Sequence, residues 1–342
     1  MDLASRIDLN DAESFPSRRN EDWKYTDVRR FLRAAPEPSP EGVATGEGLF
    51  AGLGRNELLF VNGRCDGSPE LIAEGPGEHL ALLRFASTSE GTGHQAQVAI
   101  EVKAGSALTL LESYEGEAEG YVANAGLAIT LGDGARLERI VLANDAGDAL
   151  SFSRAEVTMG AGAAFSQTLL TTGAKLQRIE TRLKHPGEGA AVRIDGAYLL
   201  AGKRHADLTT EVDHTGASGL TDQLTKGVVR DEARGVFQGR IIVREGADGT
   251  DARMGHHALI TSDRGEVDAK PELEIYADDV SCAHGNTVGA LDESALFYME
   301  QRGLPTDVAR QLLTEAFLME VVDRIGHEGA RERVRAWLTE RL

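Results

Sequence analysis

Over residues 91–290 the chain alternates apolar and polar positions in short runs that break at glycine. Val157 and Met159 lead into one such break, and Phe165 leads out of it. A period of two puts one set of side chains on a buried face, which predicts strands. Four segments repeat the pattern: Val102 to Leu108, Ile129 to Leu137, Val157 to Phe165 and His185 to Val192. One glycine in each (Gly105, Gly134, Gly162, Gly189) recurs at intervals of 29, 28 and 27 residues. Glycine supplies the positive φ of a tight turn. A fixed period of this length marks a solenoid, because one unit cannot bury its own face. No helical pattern intervenes, so the chain is predicted to be mainly β and to form a parallel β-helix, or β-solenoid. Further strands are expected at Val228 and Val229, at Ile241 to Val243, and at Leu273 to Ile275. An antiparallel sandwich or barrel also fits the alternation.

After Val288 the period becomes helical. Asp292 reads as the N-cap of a helix carrying Leu296, Phe297 and Met299; Gly303 ends it and Pro305 opens the next. That second helix, Thr306 to about Ile325, carries one wide apolar band that includes Val308, Leu312, Phe317, Val321 and Val322. Gly326 and Gly329 precede a last helix, Ala330 to Leu338. This tail is expected to cap the solenoid, with most of the band forming its core and some left for a partner. At the other end, Arg18 to Thr26 form a dense polar knot around Trp23, and Asp22 to Leu32 could be a short helix. Pro36, Pro38, Pro40, Gly42, Gly46 and Gly48 then read as a linker or surface loop. The expected division is an N-terminal segment (1–90, helix plus irregular and β structure), the solenoid core (91–290) and a helical domain (291–342).

Composition sharpens this outline. The 39 Gly against 9 Pro, with 5% aromatic residues, suit many tight turns around a thin core. A formal charge of −19 disfavours nucleic acid and anionic membranes as general partners, although a local basic patch remains compatible with it. No run approaches the ~18 apolar residues of a membrane span. The stretch Met1 to Asn10 lacks an apolar leader core. Two cysteines, Cys65 and Cys282, cannot build a disulfide framework. A cytoplasmic protein with reduced thiols is expected.

The search for chemistry returns mostly absences. Gly196 to Lys203 has the wrong spacing for a phosphate loop, and Arg204 stands where Ser or Thr should hold Mg²⁺. No Gly-x-Gly-x-x-Gly follows a strand, and Gly-x-Ser-x-Gly, Cys-x-x-Cys and His-Glu-x-x-His are missing. Cys282 and His284 stand out. In a strand, residues two apart point to one side, so a thiolate and an imidazole could face one Zn or Fe ion together. Further ligands would have to come from His205, His214, His256, His257 or another subunit. Equally, Cys282 could be a small buried residue beside a turn histidine. Cys65, after the hairpin-like Val61 to Arg64, reads as an inert thiol.

From His205 onward the chain resembles the SufB/SufD family of iron–sulfur cluster assembly proteins. The resemblance rests on His205-Ala206-Asp207, Thr210 to His214, Lys226-Gly227-Val228, Gly235 to Gly239 with Ile241 and Val243, and Pro271 to Ile275. It continues in Asp278 to Gly285, Leu296-Phe297-Tyr298 and Arg302-Gly303-Leu304, and it returns in the N-terminal knot Asn20 to Thr26. Gly285 after His284 favours the SufD branch, since SufB typically carries Glu there. One departure is Met254-Gly255-His256-His257, whose histidine pair could bind metal or only fill a turn, the turn being favoured.

The resemblance implies a right-handed parallel β-helix with a C-terminal helical domain and no catalytic activity. It implies a complex of one SufB, one SufD and two copies of the SufC ATPase, with SufC docked on the C-terminal helices. The two β-helices pair, and a nascent iron–sulfur cluster, shared with SufB, forms near that interface; none is expected to bind tightly to the isolated chain. Cys282 and His284 match the family's Cys-x-His pair. His284 is the stronger candidate, as a ligand or proton-handling group facing a SufB cysteine. His214 and Asp207 match positions that could be purely structural. Two rival readings are a stand-alone β-helix enzyme acting on glycans and a homodimeric structural solenoid; a homodimer of the isolated chain is also compatible with the family.

Overall fold

The computed structural model describes residues 7–342; residues 1–6, part of the stretch read above for a leader, lie outside the described residues. The alternating runs form strands β1 (Glu57–Val61), β2 (Arg64–Cys65), β3 (Glu70–Ala73), β4 (Glu78–Ser87), β5 (Gly93–Val102) and β6 (Ala107–Gly116). They continue as β7 (Val122–Leu131), β8 (Arg136–Asn144), β9 (Leu150–Met159), β10 (Ala164–Thr171), β11 (Leu176–His185) and β12 (Ala191–Leu200). The last six are β13 (His205–His214), β14 (Leu220–Val229), β15 (Arg234–Val243), β16 (Asp251–Ile260), β17 (Glu266–Ile275) and β18 (Ser281–Gly289).

These strands wind into a parallel β-solenoid of two facing sheets. Odd-numbered strands from β3 to β17 build an eight-stranded sheet, and even-numbered strands from β4 to β18, with β1 and β2, build a ten-stranded one. Each strand pairs in parallel with the strand one coil on, as Leu150 with Leu176 and Ile179 with Leu208. Among the described residues, antiparallel pairing is confined to the β1–β2 hairpin, where Cys65 is a half-buried free thiol, and to a single bridge between Ala174 and His205. The repeat glycines turn the chain from the first sheet to the second. Gly105, Gly134, Gly162 and Gly189 all have φ between 63° and 79°. The turns stack as well, Gly105 N–H donating to Asp133 O (2.9 Å) and Gly134 N–H to Ala161 O (2.8 Å). Leu108, Leu137, Phe165 and Val192, the residues that follow those turns, stack in register as one buried column of the core.

Helices flank the solenoid at both ends of the chain: α1 (Val28–Phe31), α2 (Glu293–Gln301), α3 (Thr306–Val322) and α4 (Glu328–Thr339). Asp292 caps α2, accepting from Ser294 N–H at 2.8 Å, and Gly303 ends it at φ 89°. The tail does not cap an end of the solenoid. Leu318, Val321, Val322, Val334 and Trp337 lie on the outer face of the ten-stranded sheet, against Leu82, Ile140, Leu142, Leu199 and Val228. Those outward apolar positions need cover, and the amphipathic helices supply it. Near the N-terminus, the expected Asp22 to Leu32 helix splits into a 3₁₀ turn (Glu21–Trp23) and the single turn α1. Trp23 and Thr26 are both drawn onto the eight-stranded sheet: Trp23 packs edge-on against Phe152 (6.2 Å), and the Thr26 hydroxyl donates to Asp207 (2.5 Å). Among the described residues no helix is long and apolar enough to cross a membrane.

Candidate functional site at the open end of the solenoid

β18 is the terminal strand of its sheet and pairs only with β16. Its register places Cys282 beside Ala252, His284 beside Met254 and Asn286 beside His256. One coil earlier these inward columns are dry: Ala252, Met254 and His256 are all buried. In β18 the next coil is missing, so His284 and Asn286 are exposed at the open end of these columns while Cys282 stays half-buried. Cys282 and His284 therefore share one face of one strand, as their spacing requires.

The two groups differ in chemistry. Cys282 packs against the buried cluster of Phe237, Ile241, Val243, Ala247, Ala252 and Met254, and its thiol is free. Burial pushes that thiol's pKa up, the Asp251 charge adds to this, and a backbone hydrogen bond at Ala252 pulls the other way. Cys282 is thus protonated near neutral pH, and binding a soft metal there would release a proton. His284 makes no side-chain hydrogen bond among the described residues, which leaves its ring free to turn toward an incoming group. Among the described residues, no three His, Cys, Asp or Glu side chains are grouped to hold a metal ion. The Cys282–His284 pair is half of a site at most.

The other histidines do not complete it. His256 and His257 lie in the middle of β16 rather than in a turn. Gly255 there needs no positive φ, so it continues the strand instead of breaking it. His256 points into the core, hydrogen-bonded to the Tyr198 hydroxyl (2.9 Å) and to Asn286 Oδ1 (2.7 Å) and stacked on Phe237 at 4.8 Å. Burial, mainly, brings its pKa down to about 4, so it is neutral and donates from one ring nitrogen only. His257 bonds Thr287 (2.7 Å). His214 stacks on His185 (4.3 Å) and bonds Thr221 (3.0 Å) at the start of β14; burial brings it to about 3. His205 and Asp207 sit on the eight-stranded sheet, where His205 Nε2 is 3.3 Å from Tyr25 O and Asp207 holds Thr26, Arg178 (3.0 Å) and Gln238 (3.0 Å).

Those contacts explain the N-terminal knot, which sequence reasoning noticed but did not place. Arg178 donates to Asp22 O (2.6 Å) and lies over the Trp23 ring (4.3 Å), while Lys270 pairs with Glu21 (2.8 Å). The knot is a strap pinned across successive coils. The alternation of Arg178, Glu180 and Arg182, all outward and all largely buried, is the signal that something covers that face. Also unforeseen is a polar cluster inside the core: Arg139 makes two 2.7 Å bonds to Glu112 and one of 2.6 Å to Gln167.

Residues 85–317 match the domain described as SUF system FeS cluster assembly, SufBD core domain. The chain is 28% identical to the iron–sulfur cluster assembly protein SufD of Escherichia coli K12, covering 96% of this chain and 89% of that protein. It is 26% identical to a SufBD family protein, Rv1462, of Mycobacterium tuberculosis, over 97% of this chain and 90% of the relative. A shorter match, 32% identical over 43% of this chain and 34% of the relative, joins it to SufD of Bacillus subtilis.

Proposed function

This chain belongs to the SufBD core family of the SUF iron–sulfur cluster assembly system, and from that premise we propose that it is the SufD-type, non-catalytic subunit of a cytoplasmic assembly scaffold. Its open solenoid end pairs with SufB, its C-terminal helices bind the SufC ATPase, and the complex carries two SufC copies. The nascent iron–sulfur cluster is the cargo, held between His284, with Cys282 behind it, and groups supplied by SufB.

One observation carries the reading. Cys282, His284 and Asn286 stand on inward columns that are core in the preceding coil and open at the last strand. Unpaired sheet edges are surfaces that proteins cover or use for pairing. The β17 and β18 edges, with this half-complete ligand set between apolar neighbours, suit a second solenoid stacked end on. A neutral imidazole binds iron and can later be protonated or displaced, which suits a cluster that must leave. For SufC, the support is an apolar surface that the solenoid leaves uncovered. Phe297 and Leu312 are 61% and 42% exposed, next to Tyr298 and Val308.

Co-expression with SufB and SufC, followed by composition and iron analysis, tests the proposal. His284→Ala is expected to leave the complex intact and lower cluster yield; a normal yield removes His284 from the site. Phe297→Asp with Leu312→Asp is expected to abolish SufC co-purification without unfolding the solenoid, and retention of SufC refutes that docking surface. Sizing the chain alone and with SufB separates a homodimer, which the same open end could form, from the heteromeric pairing.

A further inference from the structure

A cleft of about 810 Å³ lies between the N-terminal strap and the coil turns beside β11, β13 and β15. In a chain of net charge −19 it is the opposite of the average surface, with seven Lys and Arg side chains against two carboxylates. Arg18, Lys24 and Arg30 come from the strap, and Lys175 and Lys203 from successive coil turns. The two carboxylates are already committed. Asp27 caps α1 through the Arg30 N–H (3.3 Å), and Glu232 pairs with Arg264 at 2.8 Å. Arg234, also in the cleft, is held by Asp268 at 2.6 Å. Among the described residues, Arg18, Lys24, Arg30 and Lys175 form no ion pair, and Lys203 reaches Glu232 only at 3.8 Å.

The cations are also placed rather than scattered. Lys24 lies over the Tyr25 ring (5.5 Å) and Arg30 over the Phe31 ring (5.6 Å), contacts that orient a cation without neutralising it. Beneath them the strap is fixed to the sheet by Thr26 to Asp207 (2.5 Å), and His205 holds Tyr25 O at the cleft floor (3.3 Å). Like charges collected on two facing walls repel each other unless an anion sits between them. The volume is that of a small-molecule site.

We propose that this cleft is a binding site for a small ligand bearing a di- or triphosphate group, gripped by Lys24 and Arg30 on the strap and by Lys175 and Lys203 on the coils. The site is remote in sequence from Cys282 and His284 and does not depend on the function proposed above. Its ligand could be free pyrophosphate or a nucleotide that carries the same group, and the assay distinguishes them.

The test is calorimetric titration of the full chain, without SufC, by inorganic pyrophosphate and separately by ADP at low salt. Saturable one-to-one binding of pyrophosphate is expected, weakening with added salt. Tighter binding of ADP identifies a nucleoside-borne group, and equal or weaker binding identifies the free anion; either supports the site. Lys24→Glu with Arg30→Glu should weaken binding at least tenfold with an unchanged melting temperature. If that pair lowers the melting temperature, Lys175→Glu with Lys203→Glu on the exposed turns replaces it, with the same loss expected. Absence of saturable binding overturns the proposal. So does binding that survives both variant pairs, or a poly-Glu peptide that competes as well as pyrophosphate does, which would make the cleft a dock for an acidic protein segment.

Discussion

Replacing Asp195 by Asn probes the seat on which the C-terminal helices rest. Asp195 lies on the outer face of β12, fully buried beneath the helices. Arg324 Nε is 3.1 Å away and Arg193 Nε 3.2 Å, yet neither carboxylate oxygen receives a hydrogen bond. Burial therefore outweighs the two guanidinium charges, Asp222 adds repulsion, and the carboxyl is pushed up to about 7. In the unfolded chain the same group titrates near 4. The folded state thus holds the proton more firmly. Its stabilising contribution is complete below pH 4 and is lost as pH rises toward 7. Three pKa units correspond to on the order of 4 kcal/mol between those limits. Asn keeps the shape and carries no charge at any pH. Urea unfolding followed by helical circular dichroism, run on both proteins from pH 4.5 to 8, reads the difference. Other titrating groups cancel in that difference. The variant should gain on the wild type by about 2–4 kcal/mol as pH rises. Parallel curves, or a wild type that gains with pH, would show that Arg324 and Arg193 stabilise the ionised form outright, and the argument would fail.

Three other outcomes follow from the packing. Arg139→Met strands the buried Glu112 carboxylate and should cost about 3–5 kcal/mol, most of it recovered by adding Glu112→Leu; a double variant no more stable than the single one refutes this. Gly227 lies against the Tyr198 ring, where a Cβ would collide with it, so Gly227→Ala should destabilise by about 1–3 kcal/mol in thermal melts, and Tyr198→Leu in the same chain should restore part of the loss. Burial brings His94 and His256 to about 4 and His214 to about 3. The unfolded chain takes up those protons below about 6.5, so stability present above that pH is lost on acidification toward 4. His256→Asn should shallow that loss in melting temperature between pH 7 and 4.5, and an unchanged slope would mean that His256 is charged in the fold.

The solenoid was legible because its signals are local. Alternation sets the strands, and Gly105, Gly134, Gly162 and Gly189 set the turns whatever lies elsewhere. Asp292, Gly303 and Pro305 punctuate the tail for the same reason. What escaped depended on which outward face is covered. Ile140, Val141 and Leu142 are apolar on both sides of β8, which is the mark of a strand buried twice, and it shows that the tail lies along the sheet rather than at its end. Arg178, Glu180 and Arg182 carry their charges on an outward face that the strap covers, and nothing local to β11 says so. Met254-Gly255 reads as a turn because glycine so often makes one, yet Gly255 has no positive φ and His256 lies within a strand.

The Cys282–His284 pair shows where spacing stops being informative. Two residues apart on a strand puts both side chains on one face in any coil, and it says nothing about whether that face is wet. Ala252 and Met254 hold the same two columns one coil earlier and are 0% and 2% exposed. Had another coil followed β18, Cys282 and His284 would be core residues like Ala252 and Met254. They are available because the repeat ends with them. A partner solenoid stacked on β17 and β18 would close the face again. It would exclude water, raise the cost of leaving the thiol and imidazole unpaired, and make a shared metal centre the compensating interaction. On the proposed reading, the two residues supply the ligand chemistry, and their place at the last coil leaves room for a second chain to complete it.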